Sequence, residues 1–232
     1  MSAVLLAIDT ATEQCSVALS YGDQCFQRAA VTPREHSQRV LGFVEEVLGE
    51  AGITLAEVDG IVCGYGPGSF TGVRIGVAIS QGLAFSHNLP VYRVSTLAAL
   101  AQQAIRCHDA KAVISAIDAR MQEVYVASYV NDNGLAQPVS AAQMAPLAPL
   151  KAQSWWADIS ARAAVVSGVG TGWQAYGSQL DPDTQVQVLD AVTLPLAQDM
   201  LTLAKQSEPV AAEELEPLYV RNEVTWKKLP GR

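Results

Sequence analysis

Apolar positions cluster in short runs at the start of the chain and change to a helical spacing near residue 40. Residues 4–8 and 15–21 read as strands on either side of a polar turn, and Gln24–Val31 adds a third antiparallel strand after Gly22-Asp23. Thr32-Pro33-Arg34-Glu35 then offers a capping Thr, a Pro at the first helical position and a Glu three residues after the cap. The helix it predicts runs to about Ala51. Val40, Phe43, Val44, Val47, Leu48 and Ala51 form one broad apolar stripe, Leu41 widens it, and Gly52 supplies the stop.

Residues 60–65 read as a buried strand, and Gly66-Pro67-Gly68-Ser69-Phe70-Thr71-Gly72 as a tight turn into a second helix over 73–86. Strands at 91–94 and 112–117 flank a helix capped by Ser95 and ending near Cys107. In the second half, Asn131-Asp132-Asn133-Gly134 is a hairpin turn, and residues 144–150 make a proline-spaced connection without strong periodicity. A helix at 172–180, a strand at 186–189 and a helix at 195–206 complete a thinner second half. Alternating strands and helices predict an α/β fold.

The chain repeats itself. Ile8-Asp9 matches Ile117-Asp118 and Val17-Ala18 matches Val126-Ala127, both 109 residues apart, while Gly64, Gly66 and Gly68 match Gly168, Gly170 and Gly172 at 104. Two matches in one order predict a duplicated unit of Asp-tipped hairpin, helices, strand and glycine loop. The expected division is an N-terminal subdomain over 1–105 and a smaller C-terminal one over 106–232, facing each other.

The 232 residues are 50% hydrophobic and 16% charged, against about 25% charged in an average domain, which excludes disorder and a coiled coil. With 15 Lys plus Arg against 23 Asp plus Glu and a formal charge of −8, the chain is a poor candidate to grip nucleic acid alone. The start lacks a basic leader, and the longest apolar stretch, 73–85, is interrupted by Arg74, Ser80 and Gln81, so a cytoplasmic protein without a membrane span is expected. Cys15, Cys25, Cys63 and Cys107 show no C-x-x-C spacing and are expected to be buried, reduced thiols. His36, His87 and His108 are too scattered for a local metal motif, and no metal site is expected. Basic residues Arg221, Lys227, Lys228 and Arg232 gather in the tail.

Asp9 and Asp118, one at each hairpin tip, have two readings: a phosphotransfer site that places Mg²⁺ and water across a nucleotide, with Thr10 and Thr12 donating to phosphate, or ordinary strand ends. The glycine loop could hold an anion on its N–H groups, yet it lacks a P-loop Lys and is also explained by a close strand-to-helix crossing. Ser69 does not sit in a G-x-S-x-G elbow. The second helix is apolar almost all round, and Gly72, Gly76, Ser80 and Ala84 place small residues every fourth position, where another helix could approach. A protein interface and a helix sandwiched within its own domain both fit.

Ile8-Asp9-Thr10-Ala11-Thr12, Arg34-Glu35-His36-Ser37, Gly66-Pro67-Gly68-Ser69-Phe70-Thr71-Gly72-Val73-Arg74, Ala116-Ile117-Asp118-Ala119-Arg120, Gly168-Val169-Gly170-Thr171-Gly172 and Pro217-Leu218-Tyr219-Val220-Arg221 closely resemble the TsaB (YeaZ) family over nearly the whole chain. The resemblance implies the duplicated actin, Hsp70 and sugar-kinase-like (ASKHA) fold. It also implies a part in making threonylcarbamoyladenosine at position 37 of tRNAs reading codons that begin with A. In that family the catalytic paralogue TsaD transfers the threonylcarbamoyl group with a metal-binding His-x-x-x-His, the ATPase TsaE supports cycling, and the TsaB-like chain is the required non-catalytic partner. The corresponding stretch here, 94–100, has no histidine. The resemblance therefore implies pairing with TsaD, or with a second copy, through Val40, Leu41, Val44, Val47, Ile75, Ile79 and Leu83. Asp9, Thr10, Asp118 and Gly170 match the fold's nucleotide loops in reduced form. No cofactor of its own is expected, with ATP or ADP and Mg²⁺ entering through the complex and tRNA only indirectly. An autonomous ATP-binding enzyme, or a peptidase, is the alternative.

Overall fold

The computed structural model describes residues 3–220. Strands β1 (Leu5–Asp9), β2 (Gln14–Tyr21) and β3 (Gln24–Val31) form the expected meander, followed by α1 (His36–Ala51), β4 (Gly60–Gly66), α2 (Phe70–His87), β5 (Val91–Ser95) and α3 (Thr96–His108). The pattern restarts with β6 (Ala112–Arg120), β7 (Glu123–Asp132), β8 (Leu135–Pro138), β9 (Gln143–Pro146), α4 (Trp156–Arg162), β10 (Val166–Val169), α5 (Thr171–Leu180), β11 (Val186–Val188), α6 (Ala197–Ala204) and β12 (Pro209–Val210).

The first sheet runs β12-β5-β4-β1-β2-β3 and the second β11-β10-β6-β7-β8. In both, an antiparallel meander continues into parallel strands on the far side of the first strand of the unit. This is a duplicated α/β architecture, two mixed sheets with flanking helices, as the family resemblance implies. The layers alternate: α1 and α2 cover the outer face of the first sheet, α3 and α6 fill the space between the sheets, and α4 and α5 cover the second sheet. Leu97, Leu100, Val113, Ile117, Met200 and Leu203 meet in that shared middle layer.

Several expectations change. A boundary after residue 105 separates most strands but not the whole subdomains, because α6 packs on the first sheet and β12 pairs with β5. The second sheet is as wide as the first, and thinness survives only in α4 and α5, of 7 and 10 residues against 16 and 18 for α1 and α2. Of residues 144–150, expected as connection, the first three belong to β9 (Gln143–Pro146) and pair with β7. Helix α1 starts only at His36, since Arg34 takes a positive φ of 70°, outside the helical region, and the Thr32 hydroxyl lies 3.4 Å from His36 Nδ1. Gly52 ends α1 as expected, at φ 71°, with Ile53 N–H reaching back to Leu48 O. All four cysteines are free thiols, but only Cys15 and Cys63 are buried; Cys25 and Cys107 are exposed. Burial pushes the two buried thiols up to about 12, which keeps them protonated and inert. Residues 221–232, with the basic tail, lie outside the described residues.

Candidate functional site

The glycine loops are where the repeat is kept in three dimensions. Gly66 and Gly170, matched at 104 residues, both take left-handed backbone, φ 110° and 99°. Each loop then presses against the end of a central strand: a β-carbon on Gly68 would stand 2.1 Å from Ala11 O, and one on Gly170 2.3 Å from Ala116 O. Gly170 is thus required by packing at the start of α5. The Ser69 hydroxyl caps α2, accepting the Gly72 N–H at 3.4 Å.

The hairpin match is off by one residue, and strand alternation makes that decisive. Ala7 and Ile117 face the shared middle layer, whereas Ile8 faces the outer core of the first sheet. Asp9 points inward beside Gly64 and Met200 and is fully buried, its Oδ1 accepting the Ala11 N–H at 3.2 Å. Its Oδ2 is without a partner, and burial pushes the carboxyl up to about 7. Asp118 turns the other way, accepting from Tyr176 Oη at 3.4 Å and from Arg120 Nη1 at 3.2 Å. Thr10 is fully buried too, donating its hydroxyl to Gly72 O at 2.7 Å. Asp9, Thr10, Asp118 and Gly170 therefore do not assemble into one metal-nucleotide site: the two carboxylates face different layers and only Asp118 reaches the surface cleft.

That cleft is a cavity of about 880 Å³ between the glycine loop, the start of α1 and the β6–β7 hairpin. Arg34, Arg74 and Arg120 line it with His36, Glu13 and Asp118. Arg120 ties the two units together, 3.5 Å from Glu13 and 3.2 Å from Asp118. At the mouth, the Arg74 guanidinium lies 3.3 Å over the Phe70 ring and 5.2 Å over Tyr219. His36 is held below its usual range by burial, opposed by its contact with the Thr12 backbone and by Glu13.

The helix faces differ from expectation. Val40, Val44 and Val47 are buried on the outer face of the first sheet, so their stripe serves the chain's own core and is unavailable to a partner. Gly72, Gly76 and Ser80 also face inward; Gly72 and Gly76 let α2 press on Thr10, where β-carbons would stand 2.2 Å from its carbonyl and 2.7 Å from its hydroxyl oxygen. The outward side of α2 carries half-buried Ile75, Ile79 and Leu83, exposed Ala78 and Gly82, and Phe85 at 77% exposure. Leu41 on α1 is 46% exposed.

A family model described as TsaD, tRNA N6-adenosine threonylcarbamoyltransferase, matches residues 29–206. The Escherichia coli tRNA threonylcarbamoyladenosine biosynthesis protein TsaB is 44% identical over 98% of this chain and 99% of its own length, and the Haemophilus influenzae TsaB is 41% identical over 98% of each. The chain belongs to the TsaB family. A solved structure of YeaZ from Pseudomonas aeruginosa superposes with a TM-score of 0.84 at 41% identity, covering 94% of this chain and all of the other.

Within this TsaB fold, a strap follows β12 whose course spacing alone did not predict. After β12 the chain runs back along α2, where Leu215 O accepts from Gln81 Nε2 at 2.9 Å and Leu218 N–H donates to Tyr65 O at 2.8 Å. This strap covers one flank of α2 and delivers Tyr219 to the cavity mouth. The only local signal was Pro-spaced apolar residues, Pro209, Val210, Leu215 and Leu218, without period. Among the described residues no helix is long and apolar enough to cross a membrane.

Proposed function

We propose that the chain serves tRNA threonylcarbamoyladenosine biosynthesis as a non-catalytic scaffold, docking on the threonylcarbamoyltransferase paralogue TsaD and supporting its cycle together with the ATPase TsaE. The observation that carries this reading is the outward side of α1 and α2: Leu41, Ile75, Ile79, Leu83 and Phe85 leave apolar surface uncovered around Ala78 and Gly82, where small side chains admit a second helix pair. The buried, partly unpartnered Asp9 supports a site that has lost metal-nucleotide chemistry, and the acidic charge of −8 supports indirect contact with tRNA. Membership of the family supports a soluble, cytoplasmic setting. The test is reconstituted threonylcarbamoyl transfer to tRNA. Transfer should need this chain together with TsaD and TsaE and stop when it is omitted; transfer by TsaD and TsaE alone at the same rate contradicts the scaffold role.

A second reading, a nucleotide such as ATP or ADP held within the complex, draws on the arginines of the cavity and not on the Asp9–Asp118 pair. Calorimetric titration of ADP into the isolated chain and into the complex separates this from an autonomous ATP-binding enzyme, which would bind without TsaD.

A further inference from the structure

Two carboxyls are buried in the middle layer, and they are held very differently. Asp199 on α6 takes two bonds from the Arg106 guanidinium, at 2.7 and 2.9 Å. Asp9 at the end of β1 takes one, from the Ala11 N–H at 3.2 Å, and its Oδ2 has no partner. An ionised carboxylate in that setting lacks both a counter-charge and its full set of donors.

Helix α6 covers Asp9. A β-carbon on Gly64 would stand 2.3 Å from Asp9 Oδ1 and 2.9 Å from Met200 Cε, so the carboxyl, the bare backbone of β4 and α6 close on one another. The first residue of α6 seats the helix there: the Ala197 N–H donates to Ser16 Oγ at 2.9 Å, and Ser16 pairs directly with Asp9 across β1 and β2. Gln14 Nε2 adds a bond to Pro195 O at 2.6 Å. Beyond α6 the same stretch of chain forms β12, which pairs with β5, and then the strap along α2 that ends at Tyr219. The C-terminal stretch thus begins its grip on the first sheet directly over Asp9.

Among the described residues, the neighbouring elements give Asp9 no counter-charge. Strands β2 and β4 bring Cys15, Cys63 and Tyr65, all kept protonated by burial. The β1–β2 turn brings Glu13, which faces Arg120, and α2 turns Gly72, Gly76 and Ser80 towards β1. The one charge on α6 is Asp199, already tied to Arg106 of α3.

We propose that the Asp9 proton is the catch that seats α6 on the first sheet. While the proton is held, the neutral carboxyl packs beneath Met200. When it is lost to solvent, the carboxylate draws water to its free oxygen, and α6 lifts with β12 and the strap behind it. Burial raises the carboxyl from 3.8 to about 7, so the seated form is favoured in acid and gives way as pH rises through neutrality.

The test is hydrogen exchange by mass spectrometry on the full chain at about pH 6 and about pH 8, each rate corrected for the intrinsic effect of pH. Protection across 195–220 should fall about tenfold between the two, the ratio set by 3.8 in the lifted form and about 7 in the seated one. It should also stay below the protection of β6 and β10, the mark of a local opening. Asp9→Asn, checked for folding by far-UV circular dichroism, should abolish the fall. The carbon-13 shift of the Asp9 carboxyl in the wild type should titrate where protection is lost, and it decides the matter if Asp9→Asn does not fold. Protection of 195–220 that is the same at both pH values or equal to that of β6 and β10, a fall that survives in folded Asp9→Asn, or a midpoint apart from the Asp9 titration overturns the proposal.

Discussion

The Thr10 hydroxyl occupies the space that a β-carbon on Gly76 would need, 2.7 Å from that position, while it donates to the carbonyl of Gly72 one turn earlier in α2. Helix α2 is therefore clamped to the tip of β1 through two glycines. The clamp fixes which side of α2 points outward.

Gly76→Ala should accordingly destabilise the chain by about 1–3 kcal/mol through overpacking, and Gly72→Ala by more, since a backbone carbonyl cannot move aside as a hydroxyl can. Gly82, with no atom within 4 Å of a β-carbon, is the control: Gly82→Ala should be neutral or stabilising in urea titration.

Asp9 sets a pH dependence. Its carboxyl titrates near 3.8 when unfolded and is raised to about 7 by burial. The neutral form is favoured inside, so its contribution is fully present below about pH 4 and is lost as pH rises to about 7. Asp9→Asn should remove that slope from a plot of unfolding free energy against pH, leaving the variant the more stable protein at pH 8. An unchanged slope would mean that Asp9 is not the titrating group.

Arg106 holds Asp199 across the middle layer with two bonds of 2.7 and 2.9 Å, and the Asp199 side chain is wholly buried while Arg106 is partly exposed. Burial raises the Asp199 carboxyl and the guanidinium pulls it back down. Arg106→Met should cost about 2 kcal/mol by stranding a buried acid. The paired change with Asp199→Asn should recover part of the loss, measured as a double-mutant cycle.

Most strands and five of the six described helices were legible from periodicity and turn residues, because both are local; α4, of 7 residues, is too short to set up a period and was not expected. The glycine echo at Gly66 and Gly170 was legible for the same reason: a positive φ and a close approach leave only glycine. The direction of Asp118 was not, because a one-residue slip reverses a side chain and the sequence match carries no phase. Nor could spacing tell which side of α2 faces inward: Gly72, Gly76, Ser80 and Ala84 look the same whether they admit a partner or the tip of β1. The stripe of Val40, Val44 and Val47 was real, but its target was the sheet beneath it. The cavity arginines come from Arg34, Arg74 and Arg120, far apart in sequence, and only the fold gathers them.

Light scattering of this chain mixed with TsaD tests the scaffold account most directly. Wild type should form a stable complex, Ile79→Glu should stay folded and fail to form it, and Val44→Ala should lose about 2 kcal/mol of stability while still binding. A folded Ile79→Glu variant that binds TsaD as wild type does, or a wild-type chain that never associates, would contradict it.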